Sequence, residues 1–335
     1  MADILVAIDQ AGLDLVIDDD LRAQLEALAN VTWRSDLGGA DTDTYAAAIR
    51  DANAGIVLTF WGSPLLTRGA MQANPQLKYL CHIAGTVRRI VERGTIEDGL
   101  IVTNWGNVIS RICAEAALLM ILSGLRCATA VTLDMHVAKT WPKEGRWMPR
   151  SLFERKVGLH GFGAIAQELA ALLKPFGVMV SAYSPNAPDE AFERLGVTRA
   201  TDLTALYAEN DVVSIHTGKT DANYHIVTAE VLAAMPDGAV LVNTARGAII
   251  DTDALVAELQ TGRIHAAIDV YEDEPLPADS PLRGLPNCQL WPHWACPTRD
   301  RIIDCGRLAV QNVTRFLDGE DPVNRVTLAR YDTAT

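Results

Sequence analysis

The chain has 335 residues, of which 49% are hydrophobic and 21% are charged, a balance typical of a globular α/β protein and unlike that of a disordered one. Its 42 acidic side chains outnumber the 29 basic ones, and the formal net charge of -13 argues against a nucleic-acid partner, because a polyanion would be repelled. The length predicts about two domains.

The first residues and the cysteines favour a cytoplasmic protein with no membrane partner. The acidic Asp3 is followed at once by an apolar strand, and no basic segment precedes it, so no export signal is predicted. The most apolar run, residues 112–125, is too short to span a bilayer and predicts a buried helix. The six cysteines lack zinc-ligand spacing, and we expect them to be small core residues in a reducing compartment.

In chain order, short apolar runs alternate with segments of helical periodicity, which is the pattern of parallel sheets flanked by helices. The first half predicts strands over residues 4–8, 55–60, 78–82 and 100–103, and an amphipathic helix over 18–29. A long helical stretch is expected over 111–138, before a polar segment over 140–149. The second half predicts strands over 157–160, 178–183, 212–216, 239–242 and 265–270, and helices over 165–173, 251–259 and 299–317.

This pattern predicts two doubly wound α/β domains with parallel sheets, a Rossmann-type NAD(P)-binding domain being inserted in a flavodoxin-like substrate domain. We expect the substrate domain to comprise residues 1–105 and 299–335, and the dinucleotide-binding domain residues 106–298. The helix over 112–130 carries more apolar surface than one monomer is expected to cover. It therefore predicts a homodimer, which light scattering would detect.

A glycine-rich turn after the strand at 157–160 is the most informative motif. Gly161 permits a tight turn, Gly163 lets the backbone approach a pyrophosphate, and Ala166 lets the next helix pack closely on the strand. A phosphate would then meet the N–H groups at the start of the helix near Ala164. Because ordinary strand-to-helix turns also contain such glycine pairs, the motif gains its weight from the residues that follow it.

Three later side chains suit the oxidation of a hydroxy acid. An imidazole titrates near neutrality, so His293 can take and return the proton of a hydroxyl group. Glu274 is placed to orient that imidazole, and Arg246, after the strand at 239–242, can grip a carboxylate with its planar fork. Taken singly, each residue also has an ordinary structural explanation: His293 as a turn histidine, Glu274 as a solvated loop acid and Arg246 as a strand-end arginine. The spacing of the histidines does not predict a metal site.

Four motifs in order resemble those of the D-isomer-specific 2-hydroxyacid dehydrogenases, which include 3-phosphoglycerate dehydrogenase and the glyoxylate/hydroxypyruvate reductases. They are the glycine turn, residues 243–247, residues 269–275 and the Pro292-His293 pair. The resemblance implies an oxidoreductase that transfers a hydride between NAD(P)(H) and a small D-2-hydroxy acid or 2-oxo acid. In that family Arg246, Glu274 and His293 are the catalytic set. The corepressors built on the same scaffold are the alternative, since they bind NADH as sensors.

The resemblance also assigns coenzyme contacts, with Asp269 taking the nicotinamide carboxamide. The positions are Gly161, Phe162, Gly163, Ala164, Ile165, Ser184, Thr86, Thr217, Thr244, Ala245 and Asp269. The strand at 178–183 leads to Ser184, where an acid would accept from the ribose of NAD. The neutral serine predicts NAD as coenzyme with measurable NADP use, and Arg199 is a distant candidate for a phosphate contact.

The substrate side is less defined by the sequence. Ala84 and Gly85 resemble the family's carboxylate-binding loop, Trp61 is a candidate pocket wall, and Arg246 binds the substrate carboxylate. Arg88 or Arg111 could meet a second anionic group, or both could be surface arginines that balance acidic neighbours.

Overall fold

The computed structural model describes residues 3–333, and the chain divides into two compact units. Unit 1 comprises Met1–Ile109 together with Pro297–Thr335, and unit 2 comprises Ser110–Cys296. Within residues 3–333 the strands form two parallel sheets, one of five strands in unit 1 and one of seven in unit 2. The predicted class, two α/β domains with parallel sheets, is therefore confirmed.

The strands of each sheet are short and largely apolar, as expected where helices cover both faces. In chain order they are β1 (Asp3–Ala7), β2 (Val31–Trp33), β3 (Ala54–Thr59), β4 (Tyr79–His82), β5 (Ile101–Thr103), β6 (Lys156–His160), β7 (Met179–Tyr183), β8 (Thr198–Arg199), β9 (Val212–Ile215), β10 (Val240–Asn243), β11 (His265–Ile268) and β12 (Cys288–Leu290). The sheet orders are β2-β1-β3-β4-β5 and β12-β11-β10-β9-β6-β7-β8.

The helices follow the strands as crossover connections. In chain order they are α1 (Gln10–Val16), α2 (Asp19–Leu28), α3 (Thr42–Asp51), α4 (Arg68–Gln72), α5 (Arg93–Glu97), α6 (Ser110–Leu125), α7 (Ala128–Thr132), α8 (Ala164–Leu173), α9 (Asp189–Leu195), α10 (Leu203–Glu209), α11 (Ala229–Ala233), α12 (Thr252–Gln260), α13 (Ile303–Leu317) and α14 (Leu328–Thr333). Aspartates cap α2 and α12: Asp18 accepts from the N–H of Leu21 and Asp251 from that of Ala254, and these caps fix the predicted helix starts.

Local predictions differ from the structure where a short element depends on its neighbours. Three strands were missed, β2, β8 and β12, because each has two or three residues and is stabilised by pairing with a longer strand. The predicted long helix over 111–138 ends at Leu125, since Cys127 adopts a left-handed backbone with φ of 51°. A short helix, α7, and a π-helical turn over Leu133–Val137 follow it.

Helix α6 is a core element of unit 2, so the expectation that this helix carries more apolar surface than one monomer covers was wrong. Its residues Ala114, Ala117, Met120 and Ile121 are completely buried, while Leu119 is half exposed. The other exposed apolar side chains nearby lie in the segment that follows α7, and they are Leu133, Met135, Val137, Trp141, Met148 and Phe153. The homodimer itself stays a prediction.

Across residues 3–333, no single helix has both the length and the apolarity that a membrane crossing requires. The segments Ser110–Leu125 and Ala128–Val137 reach that threshold only when taken together, and they are bent by 64°.

The core of unit 1 contains a histidine that should make its stability depend on pH. His82 is 2% exposed, its Nδ1 lies 3.0 Å from the hydroxyl of Thr59, and burial lowers its pKa to about 3. The unfolded chain therefore binds a proton below about pH 6.5 that the folded chain excludes, so stability falls as the pH falls through that range. We expect His82 to account for about 2 kcal/mol of the loss between pH 7 and pH 5.

Urea unfolding at the two pH values tests this in His82→Gln. The variant should lose less stability on acidification than the unmodified chain, whereas His136→Gln, at an exposed histidine, should behave like the unmodified chain. An equal loss in His82→Gln and the unmodified chain would show that His82 is not responsible.

Candidate active site

The glycine turn, residues 161–163, lies between β6 and α8 in unit 2. Gly161 has φ of 98°, and a Cβ atom there would lie 2.7 Å from the backbone carbon of His216, so only glycine fits. A Cβ on Gly163 would meet nothing within 4 Å, and no described side chain caps the start of α8. The turn therefore offers open space and backbone N–H groups, which suit the pyrophosphate of a dinucleotide.

The other predicted coenzyme residues of unit 2 follow neighbouring strands at one edge of the sheet. In the parallel register His160 pairs with Ile215 and Tyr183, and Ile215 pairs with Asn243. The residues after these strand ends are Ser184, Thr217, Thr244 and Ala245. Ligands of such sheets bind at the carboxyl ends of the strands, and the glycine turn lies at this same edge.

Arg246 is positioned by the side chain of Asn243. This fully buried asparagine accepts from the N–H of Ala245 at 3.0 Å and donates to the carbonyl of Arg246 at 2.9 Å, which shapes the turn after β10. Burial lowers the pKa of the Arg246 guanidinium, and the carboxylate of Glu274 opposes that effect. The guanidinium of Arg246 and the carboxylate of Glu274 therefore attract each other electrostatically.

Glu274 and His293 form a direct pair. The Glu274 Oε2 atom lies 2.8 Å from Nδ1 of His293, while its Oε1 atom accepts from the N–H of Tyr271 at 2.9 Å. A carboxylate beside Nδ1 keeps the proton of a neutral imidazole on that nitrogen, so Nε2 is left to exchange a proton with a ligand. Because the His293 side chain is 48% exposed, a ligand can reach it.

Asp269 anchors the backbone that presents His293. It is almost fully buried, and its two carboxylate oxygens accept from the N–H groups of Trp294 and Ala295 at 2.7 and 3.0 Å. Its carbonyl accepts from the N–H of His293, whose φ is 60°. A non-glycine residue in that conformation needs such support. Burial raises the pKa of Asp269, and the two N–H donors counter this.

Close packing brings the two loops together. A Cβ on Gly247 would lie 1.9 Å from the backbone carbon of Tyr271, so the Arg246 turn rests directly on the segment that leads to Glu274. The Tyr271 hydroxyl donates to the carbonyls of Ile268 and Trp291, which ties the end of β11 to the segment before His293. Arg246, Glu274 and His293 thus share one region of unit 2.

Unit 1 holds the predicted substrate residues Ala84, Gly85 and Trp61, together with Thr86, which was predicted as a coenzyme contact. Ala84, Gly85 and Thr86 follow β4; the carbonyl of Ala84 accepts from the N–H of Trp105, and that of Gly85 accepts from the Asn104 side chain at 2.6 Å. Trp61 is 48% exposed and its ring meets that of Trp105 edge-on at 5.9 Å. Trp105 therefore packs against Trp61, whose role as a pocket wall stays a prediction.

The two arginines predicted for a second anionic group have different surroundings. Arg88 donates to the backbone carbonyls of Tyr331 and Asp332, so it secures α14 to the rest of unit 1. Arg111 lies exposed at the start of α6 in unit 2. Among residues 3–333 no group of three or more histidine, cysteine or acidic side chains is arranged to hold a metal ion.

The sequence did not reveal the roles of two residues that shape the site. Asn243 and Tyr271 lie inside recognised motifs, but their side chains bind backbone carbonyls, and no residue pattern indicates such contacts. Tertiary packing brings Tyr271 against the Arg246 turn, whereas Asn243 reaches that turn through local hydrogen bonds.

Comparison with known proteins gives a consistent result. Residues 118–295 match the model of the D-isomer specific 2-hydroxyacid dehydrogenase NAD binding domain. The chain is 32% identical to a glyoxylate reductase of Aeropyrum pernix over 258 residues, 75% of this chain and 77% of that one. It is 30% identical to a D-3-phosphoglycerate dehydrogenase of Methanocaldococcus jannaschii over 84% of this chain, and it spans only about half, 52%, of that longer protein.

A solved structure shares the fold over almost the full length. It is that of a D-isomer specific 2-hydroxyacid dehydrogenase from Lactobacillus delbrueckii ssp. bulgaricus in its NAD complexed form. The TM-score is 0.82 at 20% identity, and the match covers 98% of this chain and 100% of that one.

Proposed function

Because this chain belongs to the family of D-isomer specific 2-hydroxyacid dehydrogenases, we propose that it interconverts a small 2-oxo acid and the corresponding D-2-hydroxy acid. The 2.8 Å contact between Glu274 and His293, beside Arg246, is the observation that carries this proposal. Unit 2 is assigned to the nicotinamide coenzyme and unit 1 to the substrate.

The three side chains divide the work of the reaction. The nicotinamide coenzyme, when bound, supplies the hydride for reduction or accepts it in oxidation. Arg246 holds the substrate carboxylate through charge-assisted hydrogen bonds. In reduction Nε2 of His293 gives a proton to the 2-oxo oxygen, and in oxidation it takes the proton of the hydroxyl group. Glu274 keeps the imidazole oriented through its 2.8 Å contact with Nδ1.

The residue after β7 supports NAD as the principal coenzyme with measurable use of NADP. Ser184 carries no charge to repel a 2′-phosphate, and the guanidinium of Arg199 is already bonded to the carbonyls of Ser184 and Ala187. Steady-state kinetics with both reduced coenzymes tests this. A preference for NADPH above about a hundredfold, a difference of about 2.7 kcal/mol, would contradict it.

Compact 2-oxo acids are the proposed substrates, because relatives at 31 to 33% identity are named as glyoxylate and hydroxypyruvate reductases. Oxidation of NADH would be followed with glyoxylate, hydroxypyruvate, pyruvate and longer 2-oxo acids. We expect turnover with at least one of the first three at a kcat of about 1 to 10³ s⁻¹. Tight NADH binding without turnover of any of these acids would contradict the enzymatic proposal and favour an NADH-sensing binding protein.

A further inference from the structure

The loop that follows β7, residues 184–189, is held by a single side chain from the neighbouring strand. Arg199 lies on β8, paired with Ala182 of β7. Its Nη1 atom donates to the carbonyl of Ser184 at 2.9 Å, and its Nη2 atom donates to the carbonyl of Ala187 at 2.7 Å. The guanidinium therefore lies directly against the loop in which the strand-end rule places the adenosine ribose.

The same guanidinium is linked to the glycine turn by two aromatic rings. It stacks over the ring of Phe192 at 3.9 Å, and Phe192 packs against Phe162 with ring centroids 4.5 Å apart. Phe162 is the middle residue of the glycine turn and is almost fully buried. Arg199 thus joins the loop 184–189 to the turn assigned to the pyrophosphate.

An acidic residue at the start of α9 completes the arrangement. Asp189 Oδ1 accepts from Nη2 of Arg199 at 2.7 Å, and its side chain is 82% exposed while that of Arg199 is 29% exposed. Exposed ion pairs contribute little to the free energy of unfolding. The main effect of this pair is therefore on the net charge beside the loop. The carboxylate balances the guanidinium and occupies one of its N–H groups.

We propose that the Asp189–Arg199 ion pair determines the choice between NAD and NADP in this chain. The proposal rests on the proposed function, in that a dinucleotide lies along this edge of unit 2. A 2′-phosphate would bring a charge of about -1.5 to -2 to the loop. With Asp189 present, it meets a guanidinium whose charge is already balanced; without Asp189, it meets an uncompensated cation.

Two conservative variants in one helical turn test this directly. Asp189→Asn removes the carboxylate that contacts Arg199, and Glu190→Gln removes an equal charge from the next residue, which is also exposed and in the first turn of α9. Dissociation constants for NADH and NADPH would be measured by calorimetry or fluorescence without substrate. We expect Asp189→Asn to tighten NADPH relative to NADH about tenfold, or about 1.4 kcal/mol, and Glu190→Gln to change that ratio less than about twofold.

Variants of Arg199 separate the charge from the support of the loop. Arg199→Ala should weaken both coenzymes, and adding it to Asp189→Asn should abolish the gain for NADPH. Arg199→Lys keeps the charge but loses the planar fork that spans two carbonyls, so it should retain part of the NADPH gain in the Asp189→Asn background. An equal change of the ratio in Asp189→Asn and Glu190→Gln, or no change in either, would overturn the proposal.

Binding without substrate keeps this test apart from the test of catalysis. If the ratio shifts as expected while no 2-oxo acid is reduced, the ion pair retains its role and the proposed reaction is wrong. If 2-oxo acids are reduced but the ratio does not respond to Asp189→Asn, only the ion-pair proposal is wrong. An unmodified chain that binds neither coenzyme would overturn both.

Discussion

Replacing His293 by asparagine should lower kcat for 2-oxo acid reduction about 10³-fold while the dissociation constant for NADH stays within about twofold of its normal value. Asparagine keeps a polar side chain of similar reach but cannot exchange a proton at neutral pH. The loss should therefore fall on the chemical step and not on coenzyme binding. Single-turnover measurements with NADH and the best 2-oxo acid would isolate that step.

Unit 2 contains a second histidine–glutamate pair that serves as a matched control. His225 Nε2 lies 3.1 Å from both carboxylate oxygens of Glu272, much as His293 contacts Glu274. His225→Asn should leave kcat within about threefold, because this pair has no assigned role in proton transfer. A comparable loss in His225→Asn and His293→Asn would reject His293 as the specific acid and base.

Replacing Arg246 by alanine should lower kcat/KM for the 2-oxo acid about 10³-fold, or about 4 kcal/mol, because the variant lacks the guanidinium that binds the substrate carboxylate. Arg246→Lys keeps the positive charge and should recover only part of that loss, since an ammonium cannot bind a carboxylate in the two-point geometry of a guanidinium. NADH binding should change little in either variant. Initial rates over a range of substrate concentrations would resolve KM from kcat.

Arg283 is the control for a general effect of positive charge. It lines a cavity of about 490 Å³ together with Glu274 and His293, but its guanidinium donates to the carbonyls of Leu276 and Pro277. We expect Arg283→Lys to keep kcat/KM within about threefold, since that charge is retained beside the pair. If kcat/KM falls no further in Arg246→Lys than in Arg283→Lys, the proposal that Arg246 binds the substrate carboxylate at two points is wrong.

The sequence was sufficient for the family and for most of the long elements. Four motifs in fixed order predicted the D-isomer specific 2-hydroxyacid dehydrogenases, and the match over residues 118–295 confirms that family. Strands such as β3 and β10 were predicted because they are buried on both faces and therefore consist almost entirely of apolar residues. Helix α12 was predicted from its capping aspartate, Asp251, whose signal is local.

Elements with weak local signals depended on the sheet. Strand β8 has two residues and exists through its pairing with β7, yet it carries Arg199, whose guanidinium reaches the loop after β7. Arg88 was predicted as an alternative substrate contact, but the C-terminal segment folds back so that the carbonyls of Tyr331 and Asp332 accept from it. Interactions across more than two hundred residues leave no pattern in a single sequence.

What the sequence determined by itself was the chemistry: the types and order of the residues that suit hydride transfer, because strand ends and glycine turns are encoded locally. What only the tertiary structure decided was how those residues are held. Gly247 allows Tyr271 to approach the Arg246 turn, and Asp269 fixes the backbone of His293. These contacts join residues that are distant in the chain, and close packing brings them together only in the folded unit.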